Sequence, residues 1–267
     1  MNGNKVVLIT GASSGIGEAT ARIAAQKNYR IFVTARRAER LERLCSEINT
    51  NGGEASFYPA DLTDSSQIPT LVEEVMKRYA SVDVLINNAG FGRLRWLEQL
   101  DPIEDIAKQI QLNLIAAMQL TRYVLPIMIQ NHQGHIININ SLAGLIATPT
   151  YSVYAASKFG LRGFSEALRR EVKVYHIKVS GVYPGGVDTE FVQHAGIERK
   201  TSVQTPAWMR LNAMQVAKAI VDLIRRPKRQ LIMPGYMSYL VWINQIFPGF
   251  VDRLLEIGFV NRERKQT

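Results

Sequence analysis

The sequence predicts an α/β protein built on one doubly wound parallel sheet, in a single domain with a short C-terminal helical extension. Three observations carry this prediction. Short apolar runs recur from residue 5 to about residue 233. These runs are continuous rather than alternating, as in strands that are buried on both faces. Amphipathic segments with helical spacing separate them, and such repeated alternation is typical of a sheet covered by helices on both sides.

The elements follow one another along the chain in a regular order. The apolar runs predict strands at residues 6–9, 31–33, 55–58, 82–86, 135–139, 178–182 and 230–233. Helical spacing predicts helices over residues 18–27, 39–49, 66–79, 103–130, 154–176 and 214–225. Parallel strands joined by helices require right-handed crossovers. We therefore expect one α/β domain over residues 1–233 and an amphipathic extension over residues 234–267.

Composition excludes several classes of protein. The 267 residues include 32 Lys+Arg, 23 Asp+Glu and a single cysteine, Cys45. One cysteine allows no internal disulfide and no cysteine-rich zinc site, so we predict no metal and a reducing, cytoplasmic location. Cys45 lies among leucines at helical spacing and is predicted to be a packing residue. The basic excess follows no known nucleic-acid-binding motif, which argues against nucleic acid as a partner.

A glycine-rich turn ends the first strand and opens the first helix. Gly11, Gly15 and Gly17 stand at the spacing that lets the backbone approach a pyrophosphate, and the helix N-terminus supplies N–H donors. A structural turn without a ligand is the alternative. The second strand leads into Arg36 and Arg37 with no carboxylate. Sites for NADP place a cation there, whereas sites for NAD place an acid. We predict NADP(H), with Arg36 as the main phosphate ligand and Arg37 helping it. The alternative is that both arginines only decorate the next helix.

Motifs in a fixed order then identify a resemblance. They are Thr10 to Gly17 (TGASSGIG), Asp61, the run Asn87 to Gly90 (NNAG), Asn113, Ser141, Tyr154 to Lys158 (YAASK), and Pro184-Gly185 with Thr189. Over residues 5–233 the chain resembles the short-chain dehydrogenases/reductases. The resemblance implies a Rossmann-type sheet of strand order 3-2-1-4-5-6-7 and hydride transfer between a nicotinamide and a carbonyl or alcohol.

The resemblance also implies catalytic roles. Tyr154 is expected to be the acid or base, Ser141 to bind the substrate oxygen, and Asn113 to hold a water that connects Lys158 to solvent. Lys158 follows Tyr154 by one helical turn, so the two side chains share a face. From this spacing we predict that the lysine lowers the pKa of the phenol by roughly two units. Taken singly, each residue also has a purely structural interpretation, such as a surface pair, a buried amide or a turn.

The expected nucleotide-binding residues extend beyond the arginines. Asp61 resembles the carboxylate that accepts from the adenine amino group, residues 87–90 would pass behind the adenine ribose, and the Pro184–Thr189 loop would meet the nicotinamide. Neither Ser13 nor Ser14 is the basic residue that many NADP-preferring relatives carry. The full predicted set is Gly11, Ser13, Ser14, Gly15, Ile16, Gly17, Arg36, Arg37, Asp61, Leu62, Asn87, Ala89, Gly90, Tyr154, Lys158, Pro184, Gly185, Val187 and Thr189.

The C-terminal extension departs from the rest of the chain. Residues 230–251 carry no formal charge and are rich in aromatic and aliphatic side chains, whereas residues 201–267 hold 10 basic and 4 acidic side chains, +6 of the net +9. We predict two short amphipathic helices, broken at Pro234-Gly235, Asn244-Gln245 and Pro248-Gly249. Three interpretations stay open: an apolar lid, a peripheral membrane contact and a subunit contact.

Substrate and assembly are predicted more coarsely. The extension, with Phe191, Val192, Trp208 and Met209 in the loop at residues 190–209, favours a bulky apolar or lipid-like carbonyl or alcohol such as a steroid, retinoid or long-chain ketone. Family members usually associate through the two long helices, so a homodimer is expected. The alternative function is a catalytically silent NADP-binding sensor or scaffold.

Overall fold

A computed structural model describes residues 5–191, 195–196 and 210–264, and its centre is a seven-stranded parallel sheet. The strand order is β3-β2-β1-β4-β5-β6-β7, which confirms the predicted order and the doubly wound fold. Its strands are β1 Val6–Thr10, β2 Arg30–Thr34, β3 Glu54–Phe57, β4 Val84–Asn87, β5 Gly134–Ile139, β6 Ile177–Pro184 and β7 Gln230–Met233. A ladder of two residues per strand joins Val187–Asp188 to Leu211–Asn212 beside the sheet.

Helices cover both faces of the sheet, as the continuous apolar strands require. They are α1 Gly15–Ala25, α2 Ala38–Thr50, α3 Gln67–Tyr79, α4 Pro102–Gln130, α5 Ser152–Glu171 and α6 Ala213–Arg225. The helices α1, α2 and α6 pack on one face in a core that includes Cys45, whose predicted packing role is confirmed. The helices α3, α4 and α5 pack on the other face. Alternate side chains of β1 enter the two cores, Val7 on one side and Leu8 on the other.

Two helix boundaries differ from the prediction by three residues or more. Helix α1 begins at Gly15, three residues early, because Gly15 and Gly17 belong to the helix and not only to the turn. Helix α5 ends at Glu171, and a 3-10 turn over Val172–Tyr175 follows it. That turn stops at His176, which has a left-handed φ of 59°.

Helix α4 is long and apolar enough to cross a membrane, yet its inner face lies in the core of this fold. It contains two π-helical segments, Pro102–Ala107 and Gln111–Ile115, within the 29 residues. Such widened turns are uncommon and are found preferentially at functional sites. Asn113 lies in the second of them.

The extension folds as two helices, as predicted. Helix α7 spans Met237–Ile246, and helix α8 begins at Pro248–Leu255 and continues through Glu256–Val260 and Asn261–Arg264. The predicted break at Asn244-Gln245 is wrong, since both residues lie inside α7. The chain turns instead at Phe247, because a residue that precedes proline is disfavoured in the helical conformation.

Candidate active site

The glycine-rich turn between β1 and α1 has no room for a side chain at Gly11 or Gly17. Gly11 has a left-handed φ of 65°, and a Cβ atom there would lie 2.8 Å from the Cα of Ala89. A Cβ on Gly17 would lie 2.5 Å from the carbonyl oxygen of Gly11. Both neighbours are backbone atoms that have little freedom to move. The turn therefore brings its backbone close to its surroundings, which is the property a pyrophosphate site needs.

The amino terminus of α1 is open to an anion. Ser14 precedes the helix and makes no side-chain cap, so the first-turn N–H groups have no side-chain acceptor from it. The partly buried side chain of Ile16 packs against the core. Helix N-termini with uncapped donors and positive potential bind phosphate groups. A dinucleotide's pyrophosphate fits this arrangement.

Asn88 holds the turn in place, a role that the sequence did not predict. Its Nδ2 donates to the carbonyl oxygens of Thr10 at 2.9 Å and Gly11 at 3.1 Å. The N–H groups of Asn88 and Ala89 donate to the hydroxyl of Thr10, both at 2.9 Å. The two residues that follow β4 thus hold the turn after β1 in position. A polar residue directly after a strand was the available signal.

The arginine that reaches the turn is Arg37 and not Arg36. Arg37 Nη2 donates to the hydroxyls of Ser13 at 2.9 Å and Ser14 at 3.0 Å. Arg36 is exposed, and no hydrogen bond to it occurs among the described residues. Binding of the cofactor phosphate by Arg36 therefore stays a prediction, whereas Arg37 contacts the turn directly. Arg37 supplies the cation that Ser13 and Ser14 lack.

A second arginine and a carboxylate complete this charged cluster. Arg40 Nη1 donates to Glu190 Oε1 at 2.6 Å, and Arg37 Nη1 donates to Glu190 Oε2 at 2.9 Å. The hydrogen bonds from Arg40 and Arg37 lower the pKa of Glu190 to about 2. The sequence did not predict Arg40 or Glu190. Arg40 lies about one helical turn beyond the expected position, and Glu190 is 150 residues from Arg40 along the chain.

The predicted adenine side is only partly assembled around the turn. Asp61 accepts from the N–H of Thr63 at 3.0 Å and from its hydroxyl at 2.8 Å, which fixes the carboxylate at the end of β3. The next residue, Leu62, is buried. Asp61 and Leu62 thus lie at the edge where the sequence placed them.

The side chain of Asn87 faces away from the glycine-rich turn. Its Nδ2 donates to the hydroxyl of Thr121 at 3.1 Å and to Oδ1 of Asn138 at 2.8 Å. Its side chain is therefore buried between β4, β5 and α4 and does not face the turn. The reason is strand alternation, which directs Asn87 inward and Asn88 toward the turn.

Tyr154 and Lys158 lie side by side in the first two turns of α5, and both are buried. Lys158 Nζ is 5.7 Å from the centroid of the Tyr154 ring and donates to the carbonyl oxygen of Ile139 at 2.9 Å. The shared helical face is confirmed. This pair lies at the carboxyl end of β5, where open α/β sheets bind their ligands.

The predicted lowering of the Tyr154 pKa is wrong. Burial raises the pKa of Tyr154 well above its ordinary value, and the hydrogen bond with Ser141 lowers it by less. Burial also lowers the pKa of Lys158 to about 8. The estimate from spacing omitted desolvation, which opposes the charged forms of both groups.

Ser141 caps the short turn that follows β5. Its hydroxyl accepts from the N–H of Ala143 at 3.1 Å and is hydrogen-bonded to Tyr154. The Nδ2 of the preceding Asn140 donates to the carbonyl oxygen of Lys158 at 3.0 Å, and so ties the strand to the helix that carries the tyrosine. Ser141 and Tyr154 therefore present two hydroxyls together, as the sequence predicts.

Asn113 reaches the same place from α4. Its Oδ1 accepts from the N–H of Phe91 at 2.9 Å, and its Nδ2 donates to the carbonyl oxygen of Phe91 at 2.8 Å and to the hydroxyl of Ser157 at 3.1 Å. A Cβ on Gly90 would lie 2.9 Å from Asn113 Oδ1 and 3.7 Å from Lys158 Nζ. Asn113, Gly90 and Lys158 therefore converge. The predicted water on Asn113 stays a prediction.

The loop after β6 crosses from this group to the glycine-rich turn. The N–H of Gly185, which follows Pro184 at the strand end, donates to the carbonyl oxygen of Met233 at 2.8 Å. Val187 packs against the core, and the Thr189 methyl lies 3.2 Å from where a Cβ on Gly15 would be. The loop therefore passes over the turn, where the nicotinamide half of a dinucleotide would meet it.

An apolar wall surrounds the tyrosine. Phe191 lies with its ring centroid 5.6 Å from that of Tyr154. The other members of this cluster are Leu94, Ala143, Tyr151 and Ala195. Val192, Trp208 and Met209, which were also predicted to line the pocket, lie outside the described residues. The neighbourhood of the reactive hydroxyls is suited to an apolar substrate.

The two helices of the extension contact the segments that flank this wall. Val241 of α7 packs with Leu145 and Tyr183. Phe259 of α8 lies 6.3 Å from Trp96 between ring centroids, and the Arg264 guanidinium lies 4.0 Å above the Trp96 ring. Trp96 is two residues beyond Leu94 of the wall. The extension thus borders the substrate side of the site.

Comparison with known proteins agrees with this geometry. The family model described as short chain dehydrogenase matches residues 5–200. A fatty acyl-CoA reductase of Acinetobacter baylyi is 35% identical over 257 residues, which are 96% of this chain and 84% of that protein. A ketoacyl reductase of Nostoc sp. is 32% identical over 271 residues, 98% of this chain and 92% of that protein.

Solved structures share the fold. A short-chain dehydrogenase from Sphingobium yanoikuyae in complex with NADPH has a TM-score of 0.80 and 28% identity, covering 93% of this chain and 95% of that one. A short-chain dehydrogenase/reductase from Burkholderia phymatum in complex with NAD has a TM-score of 0.83 and 22% identity, covering 93% and 95%, a likeness of fold alone. The chain belongs to the short-chain dehydrogenase family, and it is an oxidoreductase of that type.

Proposed function

We propose that this member of the short-chain dehydrogenases is an NADP(H)-dependent oxidoreductase that interconverts a carbonyl and an alcohol on a bulky, apolar, lipid-like substrate. The observation that carries the proposal is the buried Tyr154–Lys158 pair, beside Ser141 and against an apolar wall. It combines a proton donor, an oxygen-binding hydroxyl and a surface that excludes water.

The residues take complementary roles in reduction. NADPH, held by the glycine-rich turn and the arginines, would supply the hydride for the carbonyl carbon. Tyr154 gives its hydroxyl proton to the carbonyl oxygen, and Ser141 hydrogen-bonds that oxygen as negative charge develops on it. The raised pKa of Tyr154 keeps the phenol protonated until the alkoxide forms. Lys158, with a pKa of about 8, carries its charge near neutral pH and favours loss of the phenolic proton at that moment.

Charge supports NADP(H) over NAD(H). Arg37 and Arg40 lie beside Ser13 and Ser14 at the end of β2, where the adenosine 2′-phosphate of NADP would bind. Guanidinium groups match phosphate oxygens with paired hydrogen bonds. The complex of the Sphingobium relative with NADPH adds support from outside the chain.

The substrate class is supported by the wall and by the relatives. Phe191, Leu94 and Ala143 offer no hydrogen-bonding side chain to a substrate, so affinity there comes from burial of apolar surface. The names of the two curated relatives, fatty acyl-CoA reductase and ketoacyl reductase, both denote acyl substrates. We therefore favour a long-chain carbonyl within the class.

A panel of carbonyl compounds tests the activity. NADPH oxidation is followed with long-chain ketones and aldehydes, steroids, retinoids and short aldehydes, with NADH as the matched cofactor. We expect turnover with long-chain carbonyls and NADPH, and much lower rates with short aldehydes or with NADH. Tight NADPH binding without turnover on any compound would instead support a silent sensor or scaffold.

The extension is proposed to bind a membrane surface from the cytoplasmic side, next to the substrate entrance. Nine large apolar side chains between residues 236 and 257 are exposed, and basic groups flank them. Tyr239 is 72% exposed and Phe250 60%. Aromatic faces bordered by cations are typical of helices that lie in the interface of anionic lipids.

Sedimentation with vesicles tests this part. The wild type is expected to sediment with anionic phospholipid vesicles and less with neutral ones, whereas the double variant Tyr239→Glu/Phe250→Glu stays in solution. Val174→Glu is the control, because Val174 is also 72% exposed but lies outside the extension. Equal sedimentation of all three proteins would contradict membrane binding.

A homodimer through α4 and α5 is proposed on similar grounds. Both helices expose apolar side chains away from the core, namely Ile115, Met118, Tyr123 and Phe159. Burying such a patch against a second copy removes it from water. Met118→Glu is expected to shift the sedimentation coefficient to that of a monomer, while Met214→Glu, on α6, is expected to leave the dimer intact.

A further inference from the structure

A carboxylate of the chain lies where the cofactor phosphate is proposed to bind. Glu190 places one oxygen 2.9 Å from Arg37 Nη1 and the other 2.6 Å from Arg40 Nη1. Two oxygens on one carbon thus bind two guanidinium groups, an arrangement that phosphate oxygens would share. The side chains of all three residues are between 32% and 40% exposed, so the site is open to an incoming ligand.

The Glu190 carboxylate and the cofactor phosphate are expected to compete for Arg37 and Arg40. Arg37 and Arg40 together carry two positive charges, and Glu190 neutralises one of them. A phosphate monoester carries about −1.5 to −2 at neutral pH. The two arginines can balance the phosphate alone, but the phosphate and the carboxylate together leave excess negative charge at short range. Binding therefore favours release of the carboxylate.

The connection to the rest of the loop gives the carboxylate its position. Glu190 follows Thr189, which lies against Gly15, and precedes Phe191, which lies against Tyr154. The ion pairs with Arg37 and Arg40 hold this short segment between the nucleotide end and the substrate end of the site. A change at Glu190 thus reaches both ends.

We propose that Glu190 is a specificity-determining residue that competes with the 2′-phosphate of NADP(H) for Arg37 and Arg40 and sets the affinity for that cofactor. This inference rests on the proposed use of NADP(H). Displacement of the carboxylate detaches the 189–191 segment from the arginines.

Calorimetric titration of Glu190→Gln with NADPH and with NADH tests the competition. We expect the variant to lower the Kd for NADPH about fivefold, the scale of two exposed ion pairs, and to change the Kd for NADH less than about twofold. Titration with adenosine 2′,5′-bisphosphate and AMP isolates the phosphate, and only the former is expected to gain affinity. Glu39→Gln is the matched control, because Glu39 is exposed next to Arg40 and makes no ion pair with it among the described residues.

An unchanged or weakened affinity of Glu190→Gln for NADPH would overturn the inference. A weakened affinity would mean that Glu190 stabilises the bound nucleotide and does not compete with it. A melting temperature within a few degrees of wild type verifies that the variant is folded. The proposed function fails separately: if wild type prefers NADH, or if Arg37→Ala leaves NADPH affinity unchanged, the cofactor assignment is wrong whatever Glu190 does.

Discussion

The two ends of the site are held together by different forces. At the nucleotide end, Ser13, Arg37, Arg40 and Glu190 form a network of hydrogen bonds and ion pairs over a turn with no side-chain room. At the substrate end, Tyr154 packs among apolar side chains, and the extension contacts neighbouring residues such as Leu145 and Trp96. The first end is suited to recognising a fixed, charged ligand, and the second is suited to apolar surface in general.

This difference explains why fold and cofactor are easier to assign than substrate. Charged recognition needs particular groups at particular distances, so it leaves motifs in the sequence. Apolar recognition depends on area and tolerates exchange among hydrophobic residues. Substitutions at the two ends should therefore differ in kind as well as in size.

The largest effect is expected where the two ends meet, at the hydroxyl of Tyr154. Tyr154→Phe removes the proposed proton donor and should reduce kcat by about 10²- to 10⁴-fold with the Kd for NADPH unchanged. Steady-state rates and calorimetry measure the two quantities. Tyr151→Phe, on a neighbouring ring, is the control and should retain most activity. Substantial turnover by Tyr154→Phe would refute its role as the acid.

A methyl group in the turn should disable the nucleotide end alone. Gly17→Ala places a Cβ 2.5 Å from a backbone oxygen, and overpacking of this kind costs about 1–3 kcal/mol of folding free energy. We expect lower stability in urea and loss of NADPH binding. Gly163→Ala in α5 meets nothing within 4 Å and should raise stability by about 0.5–1 kcal/mol. Similar stability and similar NADPH binding in the two variants would show that the turn does not require glycine at position 17.

The substrate end is tested by shortening its aromatic wall. Phe191→Ala should raise KM for a long-chain carbonyl about five- to twentyfold, since roughly 1–2 kcal/mol of apolar contact is lost. KM for a short aldehyde, which does not reach the wall, should change little. Phe191→Leu should fall between wild type and alanine. An equal effect on both substrates would mean that Phe191 positions the catalytic groups instead of contacting the substrate.

The opposite edge of the sheet provides a comparison with both ends. His135, at the start of β5, is buried, and burial lowers its pKa to about 3. Its folded form binds a proton less readily than the unfolded form, so stability is lost as pH falls below about 6.5 and the loss continues toward pH 3. The expected contribution is about 1.4 kcal/mol per pH unit within that window.

Urea titrations at several pH values across this window measure the slope. This slope measures the difference in bound protons between the unfolded and folded states, and His135→Gln should reduce that difference by about one proton. His132→Asn is the control, because His132 is exposed and its left-handed φ of 48° suits asparagine. A variant slope equal to that of wild type would show that His135 does not control the acid sensitivity. Catalysis at neutral pH should be unaffected.

The sequence alone predicted the structural features that depend on residues close together along the chain. The strands, the glycine spacing and the shared face of Tyr154 and Lys158 are set locally, and the structure agrees with them. The contact of Arg40 with Glu190 depends on how a distant loop folds back, and no local pattern records it. Strand alternation decided that Asn88 and not Asn87 faces the turn. The pKa of Tyr154 depends on burial, which spacing on a helix does not measure.

The stacking of Arg264 on Trp96, with Phe259 at its side, has a practical consequence for spectroscopy. The chain contains three tryptophans, Trp96, Trp208 and Trp242. Replacing the last two with phenylalanine leaves one emitter, which lies between helix α8 and the loop that carries Leu94. Departure of the helix would transfer that indole from a protein environment to water and shift its emission to the red. Such a variant would report, without an added dye, whether helix α8 leaves the loop that carries Leu94.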